Sequence, residues 1–116
     1  MKLVINNFKA PSLNKSYSGR HWSVRYKEAK KIQELVWGLC KEQKLFPIKD
    51  YPVDINIIAY YKTKTKRDSG NISNKEIIDG LVLADVIEDD DVKFVRKTCT
   101  QAIIGAKNNK VIIEIK

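Results

Sequence analysis

The sequence predicts an α+β fold in which two helices pack on one face of a small mixed β-sheet. Residues 53–62, VDINIIAYYK, alternate in polarity, which is typical of a strand with one buried side. Two other segments, 23–44 and 73–84, repeat apolar residues at helical spacing. Both apolar stripes are buried if the helices lie on the same face of the sheet. Because 116 residues suffice for one core, we expect a single domain over 1–116.

The first predicted strand is LVIN at 3–6, followed by a loop that extends to His21. The first helix is predicted from about Ser23 to Lys44, since apolar residues recur on one face with lysine and glutamate between them. Phe46 and Pro47 are expected to end it.

The second half of the chain predicts one helix and two strands. Ser73 and Glu76 fit a capping box, in which both side chains bond backbone amides at a helix start. That helix is expected to end near Ala84. Residues 93–104 and 110–116 look extended, and GAKNN between them predicts a β-hairpin. The predicted order of elements is therefore β-α-β-α-β-β.

The two cysteines match no metal-ligand spacing. Cys40 falls on an apolar helix face and Cys99 within a strand, so we expect two buried thiols rather than a disulfide. Free thiols favour a reducing cytoplasm. The N-terminus has no apolar run that suits a signal peptide, and no window suits a membrane span. The sequence therefore predicts a cytoplasmic protein without a membrane partner.

The charges are distributed unevenly. The chain has 22 basic and 14 acidic residues, a formal charge of +8. Eight of the acids but a single base, Lys75, lie between Asp68 and Asp91, which leaves six acids and 21 bases elsewhere. The sequence pI near 9.5 makes a nucleic acid a reasonable partner, although many small basic proteins have none.

Carboxylates lie on both sides of the second predicted helix. Asp68 precedes it, and the run Glu88–Asp91 follows it. A twelve-residue helix rises about 18 Å. The six residues from Asp85 to Asp90 can span about 20 Å, so the chain has enough reach to place Asp90 beside Asp68. Such a cluster suits Mg²⁺, with Mn²⁺ as the alternative. The bound metal would polarise a phosphodiester.

Plainer interpretations stand beside this one. Acidic runs in loops are usually solvated surface, and Asp79 lies one turn after Lys75 as a simple helix ion pair. His21 is more often structural than catalytic in such a setting, and no Ser/His/Asp or Cys/His pattern suggests other chemistry. Trp22 and Trp37 are expected in the core or on a helix flank, with base stacking as the alternative.

The segment RDSGNISNKEIIDGLVLADVIEDDDVKFV resembles the signature of RusA-type Holliday junction resolvases, which are small homodimeric endonucleases of bacteria and phages. That signature has R-D-x-D-N, a lysine, a helical D-x-L, and an apolar dipeptide before a D-D pair. The segment APSLNKSYSGRHWSVR is similar to the P-S-x-N…Y…H-W-x-x-R pattern of phage-type members. Both segments occur in the family's order.

The resemblance assigns roles to individual residues. It implies that Asp68, Lys75 and Asp90 are catalytic, with one extra loop residue before the lysine. Asp89 lies beside Asp90, and the run of three aspartates allows a register shift to Asp91. The implied metal ligands are Asp68 and Asp90 with Asp89 and Asp91 as neighbours. Arg67 and Asn71 match the motif's arginine and asparagine.

Gly70 departs from the pattern, because the family has an aspartate two residues after the first. Glycine has no side chain to bind a metal. Three explanations stay open: Asp89, Asp91 or a water takes the ligand's place; the protein is a deliberately inactivated form; or it is a decayed copy that binds junctions without cutting them.

The resemblance implies a homodimer that binds four-way DNA junctions and nicks two opposed strands with Mg²⁺. A twofold protein suits a nearly twofold substrate. Phosphate contacts are expected from Asn71 and from the basic residues of two segments. The first segment contributes Lys62, Lys64, Lys66 and Arg67, and the second contributes Lys15, Arg20, Arg25 and Lys27. The rival hypothesis is a nucleic-acid-binding module without catalysis, whose acidic residues are only solvated surface.

Overall fold

The structure, a computed structural model, describes residues 1–12 and 22–116. These residues form four strands, two α-helices and a short 3₁₀ turn, in the predicted order β-α-β-α-β-β. The bounds are β1 Lys2–Asn6, α1 Trp22–Glu42, β2 Val53–Tyr61, the turn Ser69–Asn71, α2 Lys75–Leu83, β3 Val95–Ile104 and β4 Lys110–Ile115. The predicted α+β class, with a mixed sheet and two helices, is confirmed.

The four strands form one sheet in the order β1-β4-β2-β3. Strand β4 is antiparallel to both β1 and β2, whereas β2 and β3 are parallel. The predicted hairpin is wrong, because β4 lies between β1 and β2 and does not pair with β3. The more apolar β4, KVIIEI, takes a central place, while β3 has exposed alternate positions that suit an edge.

The core lies on one face of the sheet. All the odd-numbered residues of β2 from Val53 to Tyr61 are buried, and the even-numbered ones are half-buried. The helices contribute Val36 and Cys40 from α1 and Leu81 from α2 to the same hydrophobic cluster. The helices therefore cover this inner face, and the outer face of the sheet lies away from them.

The two helices approach closely at Gly80. A Cβ at this position would lie 2.6 Å from Cβ of Val36, so only glycine fits without a shift of one helix. Helix α2 ends as predicted near Ala84. Its start differs from the predicted capping box: Asn74 is the N-cap, and the Ser73 hydroxyl donates to the Glu76 carboxylate at 2.7 Å. Ser73 and Glu76 thus bond each other instead of backbone amides.

Both cysteines are free thiols, but only Cys40 is buried. The expectation of a buried Cys99 is wrong, because β3 is an edge strand and Cys99 lies on its outer face, opposite Asn56. Within the described residues, no helix has the length and apolar character needed to cross a membrane.

Candidate nucleic-acid interface

The basic segment leaves the sheet at the end of β2. Lys62, Lys64 and Lys66 are exposed and Arg67 is half-buried. The loop that connects β3 to β4 crosses this end of β2. Its backbone amides at Gly105 and Ala106 donate to the carbonyl oxygens of Thr63 and Tyr61, at 3.1 and 3.0 Å. This crossing fixes the point from which the basic segment starts.

A depression of about 400 Å³ lies beside the basic segment on the inner side, and we call it the Asp68 depression. Three residues of the signature lie together here, Arg67, Asp68 and Asn71. The complete lining is Ser12, Tyr61, Lys66, Arg67, Asp68, Asn71 and Ile72. A carboxylate and an amide oxygen therefore lie next to two cations at the surface.

Arg67 is held against the ring of Tyr61. Its guanidinium carbon lies 4.1 Å from the ring centre, a cation–π contact. Burial raises the pKa of Tyr61 above its ordinary value, and the phenol donates to the carbonyl oxygen of Ala10 at 3.1 Å. Arg67 Nε is buried without a hydrogen-bond acceptor among the described residues. The ring contact therefore fixes the guanidinium at the edge of the Asp68 depression.

The 3₁₀ turn after Asp68 is fastened to β3. The Thr100 hydroxyl donates to the Ser69 carbonyl oxygen at 2.5 Å, and the Ala102 amide donates to the Ser69 hydroxyl at 2.9 Å. Asp68 is exposed, and its side chain makes no capping bond to the turn, although Asn71 donates its backbone N–H to the Asp68 carbonyl at 3.0 Å. The structure therefore fixes Asp68 beside the C-terminal half of β3.

The acidic run lies near the other end of β2. The Glu88 amide donates to the phenol oxygen of Tyr51, just before β2, at 3.0 Å. Asp89 and Asp91 each accept a local backbone N–H at 2.7 Å, from Asp90 and Lys93. These bonds shape the loop and use part of the capacity of both carboxylates.

Asp90 does not share a depression with Asp68. It lines a second one of about 310 Å³, here called the acidic depression, which is formed by Gln33, Asp79, Val82, Leu83, Asp89 and Asp90. The two depressions have no residue in common. The connecting chain is long enough for Asp90 to lie beside Asp68, but in the single chain the two side chains line separate depressions.

A bound Mg²⁺ needs several oxygen ligands close together, and the described residues do not offer a carboxylate cluster of that size. They include no group of three or more His, Cys, Asp or Glu side chains that could hold a metal ion. Asp68 is the one carboxylate in the lining of its depression, and Gly70 stands where the family has another. Within residues 1–12 and 22–116, a single chain therefore does not bring together the carboxylates that the resemblance implies.

Lys75 pairs with Asp79 at 3.6 Å, as its spacing on the helix predicts. It is not among the residues that line the Asp68 depression, and two-thirds of its side chain is exposed. A role for Lys75 at a phosphate stays a prediction. Gly70 is exposed, and a Cβ there would meet nothing within 4 Å, so the Cβ of an aspartate has open space at this position.

The other predicted phosphate contacts are spread over the first helix and the preceding segment. Lys27 is exposed on α1, whereas Arg25 is half-buried. Lys15 and Arg20 lie outside the described residues.

Sequence reasoning missed Lys107 and Lys110, which lie at the same end of the sheet as the basic segment. The signal was the turn GAKNNK, which contains two lysines and two asparagines and no acid.

No protein-family model matches the chain, and no curated protein matches it.

Proposed function

We propose that the protein is a homodimeric RusA-type endonuclease that binds four-way DNA junctions and nicks them with Mg²⁺ in the cytoplasm of a bacterium, from a host or phage gene. Its cutting is weakened by Gly70. The family assignment rests on the resemblance of the two sequence segments.

One structural observation supports the DNA-binding part of this proposal. The motif residues Arg67, Asp68 and Asn71 line one surface depression together with Lys66. A phosphodiester there would meet two cations and the amide of Asn71, and Arg67 can donate from a side chain that Tyr61 already holds in place. Contacts of this kind position a DNA backbone without reading its sequence.

The carboxylates needed for cleavage are divided between two depressions of the chain. The Asp68 depression offers the single carboxylate of Asp68, and the acidic depression with Asp90 is separate. We therefore expect junction binding to survive in conditions where cutting is slow or missing. Because Gly70 has open space around it, Gly70→Asp would add a second carboxylate two residues from Asp68.

The test uses a labelled four-way junction and a duplex with the sequence of one arm. Binding is measured without metal, and nicking is measured with Mg²⁺ on a denaturing gel. We expect a clear preference for the junction, weakened by the double change Lys66→Ala and Arg67→Ala. Lys49→Ala is the matched control, because Lys49 is exposed and precedes the start of β2. Equal binding of junction and duplex would contradict the resolvase assignment.

A junction-binding module without catalysis is the second candidate, and the separation of Asp68 from Asp90 favours it. The two candidates differ in how Gly70→Asp behaves. Paired symmetric nicks that appear in Gly70→Asp and vanish again when Asp68→Asn is added identify an endonuclease with one ligand missing. Tight junction binding without nicks in either protein identifies the non-catalytic module.

A further inference from the structure

A third depression lies at the same end of the sheet as the Asp68 depression, but on the outer face. It has a volume of about 600 Å³, and we call it the Tyr60 depression. Its lining is Asn6, Asn7, Tyr60, Ala106, Lys107, Asn108 and Lys110. Tyr60 and Tyr61 are consecutive in β2 and therefore point to opposite faces, so each depression contains one of the two rings.

The sheet itself builds the floor of the Tyr60 depression. Lys110 in β4 is the register partner of Asn6 in β1 and of Tyr60 in β2. Side chains at such paired positions lie about 5 Å apart. The Lys110 ammonium lies over the Tyr60 ring, 4.9 Å from its centre. The tyrosine therefore holds a lysine at a defined place, as Tyr61 holds Arg67 on the other face.

The wall of this depression is joined to the basic segment. The Lys62 backbone N–H donates to the side-chain oxygen of Asn109 at 2.8 Å, and the Phe8 amide donates to the Asn109 carbonyl at 3.2 Å. Asn109 thus links the ends of β1 and β2 to the loop that carries Lys107 and Asn108. The loop beside the Tyr60 depression is therefore bonded to Lys62, the residue at which the basic segment begins.

The chemistry of the lining fits a polyanion. Two lysines, three side-chain amides and one phenol line the Tyr60 depression, and none of its lining residues is acidic. Lysines bind phosphate oxygens as point charges, and asparagine amides can donate to phosphate or sugar oxygens. The ring face under Lys110 is already used, so the arrangement suits a phosphate backbone better than a stacked base.

We propose that the Tyr60 depression is a second phosphate-backbone site, which holds the same DNA strand or arm after it passes the Asp68 depression around the end of β2. The ligand is the sugar–phosphate backbone of a nucleic acid. Tyr60 is a positioning residue for Lys110. The inference rests on the DNA-binding part of the proposed function and does not depend on cleavage.

The test measures the affinity for the labelled junction as a function of salt concentration. The slope of log K against log [salt] is negative, and each lost phosphate contact lowers the magnitude of this slope by about 1. We expect Lys107→Ala and Lys110→Ala each to lower this magnitude by about that amount and to weaken binding several-fold. Lys97→Ala is the control, because this exposed lysine is the strand-register partner of Asp54 near the start of β2 and should leave the slope unchanged.

Tyr60 is tested with a conservative pair of variants. Tyr60→Phe keeps the ring under Lys110 and should bind like the parent protein, whereas Tyr60→Leu should reproduce the loss seen in Lys110→Ala. Equal affinities of Tyr60→Leu and Tyr60→Phe, both like the parent protein, would remove the positioning role.

The outcomes separate this inference from the proposed function. If only the variants of Lys66 and Arg67 lose affinity, the Tyr60 depression is not a DNA site, and the proposed function stands. If only the variants of Lys107 and Lys110 lose affinity, the second site stands and the role of the Asp68 depression falls. If the parent protein shows no DNA binding, the proposed function and the second site are both overturned.

Discussion

The guanidinium carbon of Arg67 lies 4.1 Å from the ring centre of Tyr61, and the Tyr61 phenol donates to the backbone of Ala10. The two contacts join three parts of the chain: the segment after β1, the end of β2 and the motif before α2. Cation–π contacts contribute about 0.5–1 kcal/mol at exposed sites and about 2 kcal/mol when desolvated. Arg67 is therefore ordered before any ligand binds.

Arg67→Lys tests whether the stacked guanidinium matters more than its charge. Lysine keeps the charge but loses the planar stack and the fork of donors. We expect a several-fold loss of junction affinity and a loss of stability of at most about 1–2 kcal/mol from the weaker ring contact. Tyr61→Phe is the matched variant, because it keeps the ring and removes only the phenol bond to Ala10. It should cost about 1–3 kcal/mol of stability, since a buried carbonyl loses its partner, and should leave affinity unchanged.

The reverse pattern would contradict this interpretation. If Arg67→Lys binds DNA like the parent protein, the contact serves only the fold. Urea unfolding and fluorescence anisotropy on the same preparations separate stability from affinity.

Alanine substitutions at two helix glycines should change the free energy of unfolding in opposite directions. A Cβ at Gly80 would lie 2.6 and 2.8 Å from two side-chain carbons of Val36, whereas a Cβ at Gly38 would meet nothing within 4 Å. Gly80→Ala should lower the free energy of unfolding by about 1–3 kcal/mol, because two packed helices must separate. Gly38→Ala should raise it by up to about 1 kcal/mol, since alanine is the better helix former. Urea unfolding of both variants checks this, and a destabilised Gly38→Ala would contradict the open space around α1.

The two cysteines should differ sharply in reactivity. Burial raises the pKa of the Cys40 thiol to about 11, against a smaller opposing effect of Lys41, whereas Cys99 is exposed. At pH 8 only about one Cys40 thiol in a thousand is then ionised, and access is blocked as well. A thiol reagent should therefore label one residue per native chain, and the second only after unfolding. Cys99→Ser should abolish the fast reaction, and two fast equivalents in the native protein would contradict the buried position of Cys40.

The fold class followed from local patterns, and the strand order did not. The alternation in β2 and the helical spacing around Val36 each reflect burial of one face, which any arrangement of layers must satisfy. The turn GAKNN between β3 and β4 is short enough for a hairpin. Its actual course over the end of β2 depends on bonds such as that from Lys62 to Asn109, which no local pattern reports.

The candidate site was predicted where its residues are close in sequence. Arg67, Asp68 and Asn71 occur within five positions, so one turn brings them to one depression. Asp90 is separated from Asp68 by a whole helix, and reach alone sets only an upper limit on their approach. Lys110 was missed because its partners, Asn6 and Tyr60, come from strands that are distant in sequence.

The ion pair between Arg96 and Asp54 gives a pH-dependent prediction. Arg96 donates two hydrogen bonds to the Asp54 carboxylate, at 2.6 and 3.1 Å, and these bonds with the arginine's charge hold the pKa of Asp54 below its ordinary value of 3.8. Because the folded pKa is lowered, the unfolded chain binds the proton more readily. The stabilisation is therefore present above the ordinary pKa and is lost as the pH falls through the lowered folded value.

Arg96→Gln should consequently be slightly less stable than the parent protein at pH 5 to 7, with a difference that disappears at pH values below the folded pKa. Arg96 is exposed and Asp54 only half-buried, so the difference should be small and should shrink further at high salt. Lys49→Gln removes the same charge from an exposed lysine that is not paired with Asp54 and should show no such dependence on pH. Carbon NMR of the Asp54 carboxyl provides the direct measurement: its titration should move towards 3.8 in Arg96→Gln, and an unchanged midpoint would contradict the ion pair.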